Sequence, residues 1–423
     1  MTAKKLQFKN SRPLKYFIFR LTCVVIAVMM TSCEQNATTP NEPPKPPGYQ
    51  EDIYWPSLAD SPWPRYHGNA QNNGRTSING PINGSLFKTI NVERINSGIV
   101  VGLDSAIYFA TSYPGYLYSF SKDGNQNWNI KLTEQEIEST PVVGNDGTIY
   151  VGLFQEKKLL AICENGNIKW SINTGGIVQI GISVGLDGTL YFIDTESNLN
   201  AVNKYGELLW KLFNDSFGSV GTGNSAMSPD GKVLYISNAD KLYAVDIVSH
   251  TIQWVFGKTI GGTVMVDSEG NLYCVAKDTS QSAEPIYYYS LTSNGMVRWK
   301  YKLDGWMGYS NQDATMDKNG NIYIASDTVY SLDYNGNLRW KFEFPQEYFP
   351  SPFICDGNGN LYSISSSTNS YQKIIYCFNN NGNIIWSFPY SIEGIIYGSA
   401  TIGFENTLYI PVDSDSSIIL IIK

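Results

Sequence analysis

Histidine is almost absent from this sequence, which has only His67 and His250 among its 423 residues. A histidine-based catalytic triad needs an imidazole beside a nucleophile and a carboxylate, and a multi-histidine metal site needs several imidazoles together. The scarcity nearly excludes both classes of site. His67 lies in a turn-rich stretch and His250 replaces a turn glycine, so we expect both to be structural or exposed.

Cysteine is also scarce, and no two of the six cysteines are adjacent in the chain. None of their spacings is that of a zinc site or a redox pair. The cysteines beyond residue 33 lie in apolar, strand-like segments and are predicted to be buried free thiols: Cys163, Cys274, Cys355 and Cys377.

Basic residues are few outside the N-terminus. Residues 1–32 hold six Lys and Arg and no acidic residue, and the rest of the chain has 24 Lys and Arg against 38 Asp and Glu, a net charge of −14. Proteins that bind nucleic acids do so largely by neutralising phosphates with basic residues. The charge therefore argues against nucleic acid as a partner.

The first 33 residues have the layout of a secretory signal. A basic leader ends at Arg20, the apolar run Leu21–Met30 follows, and Thr31, Ser32 and Cys33 come next. Ten apolar residues are too few to span a bilayer permanently. The ending Met-Thr-Ser-Cys resembles the lipobox of bacterial lipoproteins, which implies a signal peptide at 1–32 and lipidation of Cys33. An ordinary cleaved signal with an incidental cysteine is the alternative.

A repeat of four short strands organises the chain beyond a proline-rich linker predicted at 33–54. In residues 141–170, apolar runs alternate with turns at Asn145-Asp146-Gly147 and Glu164-Asn165-Gly166. Asp-Gly and Asn-Gly pairs supply the positive φ angles that two-residue hairpin turns require. Four strands joined in this way predict one antiparallel sheet.

Two markers count the repeats independently, and both recur every 43 residues on average. This is the spacing of β-propeller blades. The first marker is a tryptophan, predicted to lie in the blade core: Trp128, Trp170, Trp210, Trp254, Trp299, Trp340 and Trp386. The second marker is a tyrosine in each second strand: Tyr108, Tyr150, Tyr191, Tyr235, Tyr273, Tyr323, Tyr362 and Tyr409.

The markers predict an all-β fold, an eight-bladed β-propeller of four-stranded antiparallel blades over residues 55–423. The last unit ends with its third strand at Ser417–Ile422, and Ser85–Ile90 precedes the first complete unit as a spare fourth strand. Pairing of these two segments would close the ring and leave no open blade edge. A seven-bladed ring would require one irregular unit to be merged.

The units resemble the repeat of the PQQ-like β-propellers, where PQQ is pyrroloquinoline quinone. The motifs that carry the resemblance are D-G-x-[IL]-Y, L-x-A and N-G-x-x-x-W, and Trp63–Arg75 is similar to the lead-in before the first blade. The resemblance covers roughly residues 55–423 and implies that each tryptophan docks between neighbouring blades. WD-repeat and sialidase propellers fit less well, because no Trp-Asp dipeptide and no Asp-box occurs.

The resemblance implies two classes of function. Some members are quinone-dependent dehydrogenases, and others bind no cofactor, such as the lipoprotein subunit of the outer-membrane β-barrel assembly machinery. The enzymes need an adjacent-cysteine disulfide, a calcium site and an aspartate base, and this sequence has no adjacent cysteines. Asp317–Asn321 and Asp356–Asn360 superficially resemble calcium loops but lack their closing glutamate, so we predict hairpin turns there. We predict no catalytic residue, metal or cofactor.

The connections between strands form two surfaces. The first–second and third–fourth turns lie on one side of the ring, here called the turn face, and the second–third and interblade loops lie on the other, the loop face. The loop face is the more varied, and function tends to lie in varied loops on a rigid scaffold. Its aromatic residues form the candidate binding face, unless some of them fill the central channel: Trp306, Tyr309, Tyr348, Phe349, Tyr390 and Tyr397.

Together these features predict an exported lipoprotein of the bacterial cell envelope, anchored to the outer membrane only through its N-terminal lipid. The monomeric propeller is predicted to bind a protein or a glycan without catalysis. The alternative is a quinone-dependent dehydrogenase or a polysaccharide-acting enzyme.

Overall fold

The computed structural model describes residues 44–95, 97–178, 181–215, 217, 224–238, 241–278, 285–304, 313–325, 327–344, 347–367, 372–391, 398–412 and 417–423. All regular elements in these ranges are β-strands. In the same ranges, no helix is long and apolar enough to cross a membrane. The compact unit that contains the blades begins at Pro47.

The first strand of the chain, β1 (Leu86–Asn91), belongs to blade 8, and blades 1 to 4 follow it in chain order. Each of these blades has four consecutive antiparallel strands, ordered from the axis outwards: β2 (Val100–Val101), β3 (Ile107–Ala110), β4 (Gly115–Phe120) and β5 (Gln126–Thr133); β6 (Val142–Val143), β7 (Ile149–Leu153), β8 (Lys158–Ile162) and β9 (Ile168–Asn173); β10 (Ser183–Val184), β11 (Leu190–Ile193), β12 (Asn198–Val202) and β13 (Leu208–Phe213); β14 (Ala226–Met227), β15 (Val233–Ser237), β16 (Leu242–Asp246) and β17 (Thr251–Phe256).

Blades 5 to 8 complete the ring, and blade 7 has one additional short strand, β26, beside its second strand. Their strands are β18 (Thr259–Val266), β19 (Leu272–Lys277), β20 (Ile286–Leu291) and β21 (Val297–Lys302); β22 (Ala314–Met316), β23 (Ile322–Ile324), β24 (Thr328–Leu332) and β25 (Leu338–Glu343); β26 (Glu347–Tyr348), β27 (Ile354–Cys355), β28 (Leu361–Ser367), β29 (Gln372–Phe378) and β30 (Ile384–Ser391); β31 (Thr401–Gly403), β32 (Thr407–Val412) and β33 (Ile418–Ile422).

Blade 8 combines strands from both ends of the propeller. β1 pairs antiparallel with β33, with Leu86 opposite Ile422 and Asn91 opposite Ile418. β33 then pairs with β32, and β32 with β31. The predicted fold, the count of eight blades and the predicted ring closure are all confirmed.

In five blades, the glycine four residues before the blade tryptophan receives the tryptophan of the preceding blade: Gly166, Gly206, Gly295, Gly336 and Gly382. At Gly336, a Cβ atom would lie 2.5 Å from the indole of Trp299, and the glycine φ is +82°. Trp299 Nε1 also donates to Tyr334 O at 3.1 Å. Only glycine meets both the space and the backbone requirement. Docking of the tryptophans between neighbouring blades is thus confirmed.

Blade 4 is the exception, because His250 stands where the other turns have glycine. Its imidazole stacks on Trp210 with ring centroids 4.3 Å apart and planes 27° apart. His250 keeps the left-handed backbone of the glycine it replaces, with a φ of +58°. The aromatic contact substitutes for the close approach of backbone and indole.

The blade core is built from the second-strand tyrosines rather than from the tryptophans. All eight of these tyrosines are buried, and Tyr108 and Tyr323 are completely inaccessible to solvent. The seven blade tryptophans are only half-buried, so their predicted core position was wrong. They lie in outermost strands, which have a neighbour on one side only. A truncation should therefore cost less than the ~3–5 kcal/mol of a buried aromatic ring.

Candidate functional site

One segment of the chain lies at the axis of the ring. The axial segment, Trp63–Arg75, has no regular strand, but its carbonyl oxygens accept hydrogen bonds from the last residue of the first strand in blades 1, 2, 4, 5, 6 and 7. In chain order these bonds are Val101 N to Trp63 O (2.8 Å), Val143 N to Pro64 O (2.8 Å), Met227 N to Ala70 O (2.8 Å), Val266 N to Gln71 O (2.9 Å), Met316 N to Asn73 O (3.0 Å) and Cys355 N to Gly74 O (2.8 Å). Because each donor precedes a first–second turn, the axial segment closes the axis at the turn face.

Arg65 ties the axial segment to blades 3 and 4. Its buried guanidinium donates from Nη1 to Asn69 O and to Asn72 Oδ1, both at 2.7 Å. Nη2 donates to Ser225 O at 3.1 Å and to Ser183 Oγ at 3.4 Å. Burial lowers the pKa of Arg65 to about 10, so the side chain remains a cation at neutral pH.

Tyr66 and Asp313 meet at the same axis. The Tyr66 hydroxyl donates to Asp313 Oδ2, and the backbone N–H of Thr263 donates to Asp313 Oδ1. Burial, reinforced by the Asp313 carboxylate, raises the pKa of Tyr66 well above its usual value. The phenol therefore keeps its proton at any physiological pH.

His67 is completely buried beside them. Its Nδ1 lies 2.8 Å from Asn72 O and donates to it, while Nε2 has no hydrogen-bond partner among the described residues. Burial lowers the pKa of His67, so the imidazole is neutral. Gly74 lies close to the ring, where a Cβ atom would come within 2.7 Å of Cε1.

The axial cluster of Arg65, Tyr66, His67 and Asp313 has the residue types of an acid–base site. A general acid or base works best when its pKa lies near the operating pH. Here the arginine and the phenol hold their protons tightly, and the imidazole is held neutral with Nδ1 bonded to the backbone. The geometry therefore suits the attachment of the axial segment to the blades better than proton transfer.

A second segment, the strap at residues 48–52, crosses the turn face of blades 5 and 6. Gln50 is buried, its backbone N–H donates to Lys318 O at 2.8 Å, and its Oε1 accepts from Ser268 N at 2.9 Å. Gly48 lies against Tyr334, where a Cβ atom would come within 2.5 Å of the tyrosine side chain. The strap is part of the region predicted to be linker, and it is fixed to two blades.

Asp52 at the end of the strap bridges two cations. Its Oδ1 lies 3.2 Å from Arg75 Nη2, and its Oδ2 lies 2.8 Å from Lys318 Nζ. Burial raises the pKa of Asp52, but the hydrogen bond from Lys318 and the charge of Arg75 outweigh it and lower the pKa. A cleft of about 230 Å³ opens between these side chains and the turns at Asn319 and Asn358.

The predicted aromatic face is divided by the structure. Tyr348 lies half-buried in β26, opposite Ser366 at the loop-face end of blade 7. Phe349 points instead into the core, where its ring centroid is 5.0 Å from that of Phe344 and 6.0 Å from that of Tyr376. Phe349 is therefore not on the surface where we expected a binding residue.

Tyr390 lies in β30, the outermost strand of blade 7, and is half-buried beside Phe388. The structure thus brings Tyr348 and Tyr390 to the loop-face end of one blade. The other three predicted binding residues lie outside the described ranges: Trp306, Tyr309 and Tyr397. The binding role of this face remains a prediction.

The described residues do not fit the quinone and calcium site of the dehydrogenases. No three His, Cys, Asp or Glu side chains in these ranges come close enough to hold a metal ion. The four described cysteines are free thiols, and none has a cysteine next to it in the sequence. Three of the thiols are buried as predicted, whereas Cys163 is half-buried.

The two calcium-like turns are hairpin turns, as predicted. Asp317 Oδ1 accepts from the backbone N–H groups of Asn319 and Asn321, and Oδ2 accepts from Asn321 Nδ2 and the Tyr323 hydroxyl, all between 2.7 and 2.9 Å. Asp356 makes the same set of contacts in blade 7. Asp317 thus has four hydrogen-bond donors from the protein, and Asp356 has a fifth in the backbone N–H of Gly80 at 3.0 Å.

Sequence reasoning missed the axial segment and the strap. Trp63–Arg75 has no strand periodicity, and its turn-forming residues predicted only a lead-in. The available signal was polar content combined with low charge, because buried backbone with irregular geometry needs many short polar partners. Gln50 has no such signal, since a single glutamine in a proline-rich stretch is ordinary in a linker.

Comparison with known families gives a match over residues 81–301, just over half of the chain, to the family described as outer membrane protein assembly factor BamB. No curated protein gives a significant match. Among solved structures, BamB from Moraxella catarrhalis is 15% identical, with a TM-score of 0.60 over 80% of this chain and 97% of that one.

Two dehydrogenases are similar to the same degree. The quinohemoprotein alcohol dehydrogenase from Comamonas testosteroni is 11% identical, with a TM-score of 0.62 over 88% of this chain and 81% of that one. A europium-containing methanol dehydrogenase is 12% identical, with a TM-score of 0.63 over 84% of this chain and 90% of that one. Identities this low support a common fold alone. By its repeat, its eight blades and its family match, the chain belongs to the PQQ-like β-propeller family described as outer membrane protein assembly factor BamB.

Proposed function

We propose that this chain is an exported, lipid-anchored protein of the bacterial cell envelope whose propeller holds a protein partner and catalyses no reaction. The observation that carries the proposal is the family match over residues 81–301. The family description names outer membrane protein assembly, which makes a component of that process the first partner to test. A glycan of the envelope is the alternative partner.

The state of the axis supports a scaffold role. Carbonyl groups of the axial segment accept hydrogen bonds from the blades. Arg65 donates to Asn72 and Ser225, and Tyr66 donates to Asp313, so these polar groups already have protein partners. What the ring offers to another molecule is its loop face and its outer strands. Tyr348 and Tyr390 at the loop-face end of blade 7 belong to the proposed contact surface, with Trp306, Tyr309 and Tyr397 proposed from sequence alone.

The test is capture of partners by the full chain. The tagged protein is crosslinked in cells, solubilised from membranes in detergent and purified, and the crosslinked species are identified by mass spectrometry. We expect components of outer-membrane protein assembly. Tyr348→Ala should weaken the contact by about 1–3 kcal/mol, the scale of an interface hot spot, without changing the melting temperature.

The matched control is Tyr205→Ala, because Tyr205 is 69% exposed on the turn face. This variant also replaces a tyrosine by alanine, and it should leave the capture of partners unchanged. Equal capture by wild type and Tyr348→Ala would contradict the proposed surface, and capture of glycan alone would contradict a protein partner.

Two further measurements separate the parts of the proposal. Cys33→Ala should abolish lipid labelling of the chain, and unchanged labelling would refute anchoring at this residue. Addition of PQQ and calcium should give no thermal shift and no dye-linked oxidation of alcohols or sugars. A saturable shift followed by turnover would instead favour the dehydrogenase alternative. The two similar dehydrogenase structures support that alternative only by sharing the fold.

A further inference from the structure

The strap fixes the point at which the N-terminal region leaves the propeller. Residues 48–52 lie over the first–second turns of blades 5 and 6, where Gln50 bonds Lys318 and Ser268. Glu51 N donates to Ser268 Oγ at 3.1 Å, and Asp52 bridges Arg75 and Lys318. All these partners belong to the turn face or to the axial segment beneath it.

We infer that the turn face is the side of the propeller that faces the membrane, and that the loop face points away from it. The inference rests on the proposed anchoring at Cys33 and concerns a lipid surface as the occupant of the space next to the turn face. The short length of chain between the anchor and the strap limits which face can lie next to the membrane.

That length is short. Pro47 follows Cys33 by 14 residues, and the intervening sequence contains Pro40, Pro43, Pro44 and Pro46. A proline-rich chain in the polyproline II conformation rises about 3.1 Å per residue, so these residues span about 43 Å in that conformation and about 50 Å at full extension. The anchor therefore stays within about 50 Å of the strap.

A loop face turned toward the membrane would need a longer path. The chain would have to pass three strand spacings outwards and then a strand length of about 20 Å with the loops at both ends, roughly 45 Å in all. This path uses about nine-tenths of the maximum reach and is longer than the polyproline II length, so the chain would lose most of its conformational freedom. With the turn face toward the membrane, the same chain has slack over its whole length.

Energy transfer between the protein and the membrane tests this orientation. A donor dye is attached to the turn face through Asn294→Cys or to the loop face through Asp327→Cys, both at exposed positions of neighbouring blades. Cys163→Ser removes the one half-buried thiol among the described cysteines. The full chain is reconstituted into phosphatidylcholine vesicles that carry an acceptor-labelled lipid. We expect at least twofold more transfer from residue 294 than from residue 327, and equal or reversed transfer would overturn the inference.

The strap itself is tested by a double variant. Gln50→Ala with Asp52→Ala removes the side-chain contacts of the strap and should bring the ratio of the two transfers toward one. Asp60→Ala is the matched control, because it removes an exposed carboxylate of the same region outside the strap. A ratio that the double variant leaves unchanged would refute the strap as the cause of the orientation.

Failure of the anchor is distinguished from failure of the orientation. Flotation of the vesicles reports whether the chain is anchored at all. If it does not float, the anchoring proposal fails, and the orientation is measured on a chain with Cys33→Ser and six histidines inserted before Glu34, captured on vesicles with nickel-chelating lipid. The same twofold ratio is expected there, and equal transfer in that arm would refute the orientation independently.

Discussion

Blades 2 and 6 build the same hairpin in two ways. In blade 2, Gly144 opens the first–second turn and Asp146 is exposed at its corner. Asp146 Oδ1 accepts a hydrogen bond from the backbone N–H of Thr148 at 3.1 Å. In blade 6, Asp317 opens the turn, is 1% exposed and accepts from the buried Tyr323 hydroxyl at 2.7 Å. Arg339 Nη1 then donates to the same hydroxyl at 3.2 Å.

The same division separates the blades around them. Blades 1 and 3 open the turn with Gly102 and Gly185, whereas blades 5 and 7 open it with Asp267 and Asp356, each bonded to its second-strand tyrosine at 2.9 Å. In blade 1, the Tyr108 hydroxyl has no hydrogen-bond partner among the described residues. The recurring tyrosine is thus needed for its ring. Its hydroxyl donates to a buried carboxylate in blades 5 to 7 and to Lys122 O in blade 8.

The largest difference should come from removing the two aspartates. Asp317→Ala removes four hydrogen bonds and leaves the buried Tyr323 hydroxyl without its acceptor, which should cost about 3 kcal/mol or more. Asp146→Ala removes an exposed turn cap and an exposed ion pair with Lys169, which should cost about 0.5–1 kcal/mol. Urea unfolding followed by tryptophan fluorescence measures both.

Similar losses in the two variants would mean that the buried carboxylate of blade 6 is no more important than the exposed one of blade 2. Asp356→Ala in blade 7 is the internal repeat of this measurement. Ile385 stands where blade 6 has Arg339, so no arginine donates to Tyr362 from that position, and the loss should fall between the two.

Removal of the tyrosine hydroxyls should give a smaller difference that depends on pH. Tyr323→Phe removes the hydroxyl that donates to Asp317 and accepts from Arg339, and should cost about 2 kcal/mol at pH 7. Tyr108→Phe removes a hydroxyl without a described partner and should change stability by less than about 0.5 kcal/mol. Both are measured by urea unfolding at pH 7.

At alkaline pH the sign of the Tyr108 effect should reverse. Burial raises the pKa of Tyr108 above the value of about 10 in an unfolded chain. A raised folded pKa gives stability that is complete below pH 10 and is lost as the pH rises through the folded value, at about 1.4 kcal/mol per pH unit. Tyr108→Phe should therefore lose stability less steeply than wild type above pH 10, and parallel curves would contradict this account.

The smallest expected effect is a transplant of the blade 6 network into blade 7. Blade 7 has the Asp356 and Tyr362 pair, but Ile385 stands in the position of Arg339, and Cys377 lies opposite Trp386 where blade 6 has a serine. The double variant Ile385→Arg with Cys377→Ser should gain about 0.5–1 kcal/mol from the new hydrogen bonds. Ile385→Arg alone is the control and should be near neutral. An equal gain from the single variant would show that the serine introduced at residue 377 does not contribute to the stabilisation.

The repeat made the fold predictable, because turn glycines, tyrosines and tryptophans report short-range geometry that recurs in every blade. The pairing of Ser85–Ile90 with Ser417–Ile422 followed from counting strands. The position of Gln50 and the burial of Phe349 could not be predicted, since both depend on which distant residues surround them. The tryptophans misled for a related reason: their regular spacing indicates a common role but does not say whether that role lies in the core or at the rim.

The axial segment also has a consequence for how the ring is made. Residues 63–75 precede every blade in the chain, so during synthesis or export they are available before any blade exists. The acceptors from Trp63 to Gly74 occur in the same order as the blades that use them, from blade 1 to blade 7. Six blades use these carbonyls among the described residues, and blade 3 is attached to the segment through Arg65 and Ser183 instead. We expect the segment to serve as a template for blades that form in the order of their synthesis, with β33, which comes last, closing the ring on β1.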